Sequence, residues 1–115
     1  MPITARSALR LTLKIVSLAL TGPGGALAAV DAPVVAIDNF TFDPPQLSVR
    51  AGTAVTWVNH DDIPHTATSA TKVFGSAVLD TDDKFTFRFD QPGTYTYFCK
   101  LHPHMSGTIE VTPSG

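Results

Sequence analysis

One run near the C-terminus concentrates the residues able to do metal chemistry. Gly93 to Gly107 reads Gly-Thr-Tyr-Thr-Tyr-Phe-Cys-Lys-Leu-His-Pro-His-Met-Ser-Gly. It holds the only cysteine of the chain, Cys99, two of the four histidines, His102 and His104, and one of the two methionines, Met105. Thiolate, imidazole and thioether are soft and intermediate donors, suited to copper rather than to magnesium or calcium. A further histidine, His65, lies 34 positions before Cys99 in Ile-Pro-His-Thr. Two imidazoles, one thiolate and a weak axial thioether make the donor set of a mononuclear blue-copper electron-transfer site.

Taken singly, each residue has a plainer explanation. A lone cysteine in a β domain is usually a small buried hydrophobe, and a methionine usually fills core space. Loop histidines are usually solvated. Their coincidence within seven residues, with His65 in a comparable context, is what favours a metal site. Zinc also takes cysteine and histidine, but methionine is a poor zinc ligand, so the set points to copper. Cys99 and His102 could also suggest a thiol nucleophile and its base, but no third group orients them and Met105 and His65 stay unused. Nothing else supplies catalytic machinery: there is no Ser/His/Asp set, no paired carboxylates and no phosphate loop.

The spacing says which donors converge. Cys99 ends an alternating run, so its side chain shares a face with Tyr95 and Tyr97. Pro103 stiffens the turn after His102, and Pro64 stiffens the approach to His65. One short loop then supplies Cys99, His102 and Met105, while His65 comes from a neighbouring strand end. Choosing His104 as the ligand would set Met105 directly beside it, where both could hardly point at one ion. His102 is therefore the expected ligand, and His104 and His60 are expected at the surface.

The elements that must position these residues are strands. Val34–Ile37 reads as a first strand leading into Asn39-Phe40-Thr41-Phe42, with Phe40 and Phe42 on one face, and Asp43-Pro44-Pro45 stops it. Leu47 and Val49 alternate in a short strand. Thr53–Asn59 carries Val55 and Trp57 on one face. A polar loop follows, then His65 and an extended Thr66–Ser69. Ala70–Asp83 is irregular, with room for a short strand or one helical turn. Lys84–Phe89 alternates with Phe85, Phe87 and Phe89 inward; Thr94–Phe98 alternates again; Gly107–Thr112 closes the chain with Ile109 and Val111 inward. No helix of three turns and no repeat is visible. Many short strands separated by turn signals argue an all-β sandwich or barrel.

Charge is uneven along the chain. Of 8 Lys+Arg and 10 Asp+Glu, three basic residues (Arg6, Arg10, Lys14) fall in the first 14 positions and no acidic residue precedes Asp31. Basic residues, the apolar Ile15–Leu20 run and Ala26-Leu27-Ala28 together read as a cleavable export signal over residues 1–28. An apolar run this short does not suit a membrane anchor. The remaining 29–115 form one small domain with five basic against ten acidic residues. That balance speaks against nucleic acid and fits either steering by a basic partner or solubility. In an exported protein a lone cysteine is a liability unless buried or bound, and ligation resolves that.

The stretch Tyr97-Phe-Cys-Lys-Leu-His-Pro-His-Met-Ser-Gly107, preceded by Trp57-Val-Asn-His-Asp-Asp-Ile-Pro-His65, resembles the cupredoxins, the blue copper proteins. Its Cys-x2-His-x2-Met loop is similar to that of the amicyanins, while plastocyanins and pseudoazurins have longer His-to-Met spacings. The similarity runs from about Val34 to Thr112. It implies a two-sheet Greek-key β-sandwich with one type 1 copper ion near one end, held by His65, Cys99, His102 and Met105. It implies a soluble periplasmic electron carrier, not an enzyme, meeting its redox partner proteins transiently around His102; an exported copper storage, delivery or resistance protein is the alternative. A monomer is the simplest expectation. The sequence departs from the pattern at Thr66, where many relatives have an asparagine bonded to the cysteine loop, and at His104, where amicyanins commonly have an apolar aromatic.

Overall fold

The computed structural model describes residues 32–114, and the expected export signal lies outside them. Eight strands follow in order: β1 Val34–Asp38, β2 Thr41–Asp43, β3 Gln46–Arg50, β4 Thr53–Asn59, β5 Thr68–Ser69, β6 Lys84–Phe89, β7 Gly93–Cys99 and β8 His102–Thr112. Among the described residues there is no helix. The strands form two four-stranded sheets, ordered β2-β1-β4-β6 and β3-β8-β7-β5. In each, one pair is parallel, β1 with β4 and β8 with β3, and the other neighbours are antiparallel.

The core lies between the sheets because each strand turns alternate residues inward. Val35, Ile37, Val55, Trp57 and Phe89 come from one sheet, and Val49, Tyr97, Cys99, Ile109 and Val111 from the other. Trp57 and Tyr97 meet edge to face across the gap, centroids 5.3 Å apart, and Phe42 meets the same tyrosine at 4.7 Å. Such edge-on pairs add to simple area burial. Tyr97 lies opposite Gly107 in the β7–β8 register. A Cβ at Gly107 would fall inside contact distance of the Tyr97 hydroxyl. Gly107 is thus glycine to admit that ring.

Three local expectations change. Phe40 and Phe42 do not share a face: Phe42 is 2% exposed and Phe40 is 40% exposed. Asn39 and Phe40 both have positive φ, 52° and 59°, so the chain makes a left-handed turn there and the alternation is lost. Ala70–Asp83 forms neither strand nor helical turn. Ser69 Oγ accepts the backbone N–H groups of Thr71 and Val73, and such local bonds compete with regular structure. The segment still plugs Phe74 and Leu79 into the core and is pinned by bridges from Gly75 to Thr68 and from Leu79 to His65. Last, β8 begins at His102 rather than at Gly107. His102 pairs with Cys99 and Ser106 with Phe98, so residues 103–105 form a bulge between them.

Candidate metal centre

Strand ends bring the donors together at one end of the sandwich. Cys99 is the last residue of β7, fully buried, on the face that Tyr97 shares. His102 is the first residue of β8 and is half-buried. His65 is fully buried on the loop after β4, where it exchanges backbone hydrogen bonds with Leu79, N to O 3.1 Å and O from N 2.8 Å. That reciprocal bridge fixes the height at which its ring enters the core.

The donor atoms converge. Cys99 Sγ lies 3.6 Å from His65 Nδ1 and 3.6 Å from His102 Nδ1, and all three ligand atoms fall within 4.8 Å of one another. Among the described residues this is the only group of three or more His, Cys, Asp or Glu side chains so arranged. A thiol and two imidazole nitrogens aimed at one point are the donors a copper ion takes, so the residues fit the ion the sequence suggested. Met105 is buried within the β8 bulge. It lines, with Phe40, Phe42 and His104, an open depression of about 700 Å³ beside the site. His104 and His60 are exposed, as expected.

Two residues, one of them the departure Thr66 and the other Asp61, build the walls of this site. Thr66, in the position of the missing asparagine, ties the segment after His65 to the one that carries Cys99. Its N–H donates to Cys99 Sγ at 3.4 Å, and its Oγ1 accepts the Lys100 N–H at 2.9 Å. A hydroxyl therefore does what the amide was expected to do. Asp61, in the polar loop after β4, faces inward. Its Oδ2 lies 2.8 Å from His65 Nε2, and the two side chains are 12% and 0% exposed. Burial pushes the Asp61 carboxyl up, but hydrogen bonds from the Phe40 and Asn39 N–H groups and from His65 outweigh it, and its pKa is lowered. The four-residue spacing from Asp61 to His65 was the signal available in the sequence.

Phe40 is a further wall residue, and one that the sequence did not point to. Its ring meets His65 at 5.4 Å and His102 at 5.1 Å, edge to face in both cases, while the two imidazoles are 4.9 Å apart. The aromatic ring thus covers both imidazoles from outside.

The sequence matches the family described as a cupredoxin-like domain over residues 10–111. The chain belongs to the cupredoxins. The family match starts within the stretch that reads as an export signal. Amicyanin-alpha of Methylorubrum extorquens is 35% identical to this cupredoxin over 97 residues, which cover 76% of this chain and 82% of the relative. The amicyanin of Paracoccus denitrificans is 34% identical, covering 75% and 70%. Among solved structures, a purple cupredoxin from Nitrosopumilus maritimus aligns with TM-score 0.66 at 31% identity over 70% of this chain and 99% of that one. The Cu(I) form of an amicyanin variant aligns with TM-score 0.66 at 29% identity over 71% and 83%. The fold also occurs in an enzyme: a copper-containing nitrite reductase from Thermus scotoductus aligns with TM-score 0.68 at 28% identity, although this chain spans 23% of it.

Proposed function

We propose that this cupredoxin is an exported type 1 copper protein that passes single electrons between redox partners. The observation that carries the proposal is the position of Cys99 Sγ, 3.6 Å from both His65 Nδ1 and His102 Nδ1. His65, Cys99 and His102 would hold the ion, with Met105, buried in the bulge three residues after His102, as a further, weak thioether donor. Copper there supplies a one-electron couple between Cu(II) and Cu(I).

The chain's own residues account for the rest. Cys99 is held by strand β7 and by the Thr66 N–H, so its sulfur does not relocate when charge changes. His65 is locked between the Leu79 bridge and Asp61. His102 keeps an accessible edge, with exposed Leu101 before it and exposed Phe40 against its ring. Such a small apolar surface around one reachable imidazole suits the brief contacts of redox partners. Exposed Asp80, Asp82 and Asp83 lie on the loop before β6, where they suit steering by a basic partner. Residues 1–28 act in this reading as the leader that sends residues 29–115 to the periplasm as a monomer.

The test is copper titration of the purified protein followed by electron self-exchange measurements. One equivalent of Cu(II) should produce an intense visible band that Cys99→Ser abolishes, with fast self-exchange. No intense band would refute the copper site. A blue protein with slow exchange and ready copper release to an acceptor would instead mark a storage or delivery protein.

A further inference from the structure

His65 has a second ring nitrogen, and its partner is built with unusual care. Asp61 Oδ2 meets His65 Nε2 at 2.8 Å and also accepts the Phe40 N–H at 3.0 Å, while Oδ1 accepts the Asn39 N–H at 2.7 Å. The Asp61 backbone is held as firmly. Its N–H donates to Asn59 Oδ1 at 2.9 Å, and its carbonyl accepts the Thr81 hydroxyl at 2.7 Å. Fully buried Asn59 in turn donates through Nδ2 to the carbonyls of Ile63 and Leu79, the residue that bridges His65. Asn39 and Phe40 reach the carboxylate only because both adopt the left-handed backbone, unfavourable for phenylalanine. His102 has no counterpart: among the described residues the one side-chain hydrogen-bond partner of its ring is Cys99 Sγ.

We propose that Asp61 is the positioning residue of the metal centre, setting the tautomer and donor strength of His65 and thereby favouring Cu(II) over Cu(I). An ionised carboxylate can only accept, so a neutral His65 must carry its proton on Nε2 and present a bare Nδ1 toward Cys99 Sγ. A carboxylate on the far side of a ligating imidazole raises its basicity. Greater electron donation stabilises the more highly charged metal state. The reduction potential is therefore lower with Asp61 than without it. Through Asn39 and Phe40 the same carboxylate seats the ring that covers both histidines. This inference rests on the copper reading and deepens it.

Two measurements test it. In the apo-protein, long-range ¹H–¹⁵N correlation spectra should show His65 protonated at Nε2 and bare at Nδ1; the opposite tautomer would overturn the proposal. In the copper-loaded protein, voltammetry should show a raised potential for Asp61→Asn, with Cu(II) affinity reduced about 10- to 100-fold and Cu(I) affinity reduced less. Asp61→Glu should move the potential back toward wild type. Asp62→Asn removes the same charge from the exposed neighbouring residue and should leave the potential near wild type. Equal shifts in Asp61→Asn and Asp62→Asn would reduce the effect to through-space charge and sink the proposal. So would an Asp61→Asn protein that is less stable but keeps its potential, because the carboxylate would then be only a staple for the Asn39–Phe40 turn. Should Asp61→Asn fail to fold, the wild-type tautomer and the Asp61→Glu potential decide. Absence of the intense visible band in wild type would count against the copper reading, while the apo tautomer would still judge Asp61.

Discussion

The two imidazoles of the site live in different worlds although they share one sulfur. His65 is fully buried, bridged through its backbone to Leu79 and bonded through its far nitrogen to Asp61. His102 opens a strand beside a bulge, is half-buried, and has Phe40 and Cys99 as ring neighbours. The difference separates two requirements of an electron carrier. One imidazole is welded into the scaffold, so that the site rearranges little; the other reaches the surface, so that a partner can come close.

The largest expected effect breaks this contrast directly. His102→Gly leaves a solvent-reachable gap, so added free imidazole should restore the visible band. His65→Gly leaves a buried gap and takes the imidazole partner from Asp61, so imidazole should restore little, and the apo-protein should lose a few kcal/mol in denaturant melts. Equal rescue of both variants would mean that the walls are equivalent.

Beneath both walls lies Tyr97, two residues before Cys99 on β7. Neither its hydroxyl nor the Trp57 indole N–H has a well-aligned hydrogen-bond partner among the described residues. Burial pushes the Tyr97 pKa up to about 12, and the nearby Trp57 N–H pulls the other way. The folded state thus holds this proton more tightly than the unfolded chain. The stability that depends on it is whole below pH 10 and drains away as pH rises from 10 to about 12. Tyr97→Phe should remove about 2–3 kcal/mol of alkaline loss relative to wild type and be neutral or stabilising at pH 7, with the visible band unchanged. A shifted band would show that the core and the walls are not separable.

A smaller effect is expected at the tie between the walls. Thr66→Val keeps the shape but strips the acceptor from the Lys100 N–H. It should cost about 1–2 kcal/mol and broaden the spectrum of the Cys99 loop, without loss of copper. The smallest is His104→Ala, on the exposed outer side of the bulge, which should change stability by less than about 0.5 kcal/mol and leave the spectrum intact. Loss of copper there would move the second imidazole ligand from His102 to His104.

Much of this was legible in the chain because it is local. Alternation over Thr53–Asn59, Lys84–Phe89 and Thr94–Phe98 revealed strands, since period-two burial follows from the pleat itself. Cys99, His102 and Met105 stood out because a short loop must bring close neighbours together, and His65 because its residue type and proline match theirs. What stayed hidden depends on partners distant in sequence. Phe40 looked like a strand residue until Asp61, 21 positions away, claimed its N–H and turned the backbone left-handed. Asp61 looked like one more surface charge because its neighbours are polar; its burial comes from the β1–β2 turn and the Thr81 loop folding over it.

The amino-acid order alone settled which atoms could bind a metal and that strands would carry them, because donor chemistry and side-chain alternation belong to each residue and its immediate neighbours. Only the folded sandwich decided that Thr66 would bind the two loops together, that Gly107 would make room for Tyr97, and that one histidine would be sealed while the other met solvent. Those outcomes depend on which surfaces the two sheets press together, and hydrogen bonds across 20 or 30 positions of chain exist only once that packing is made.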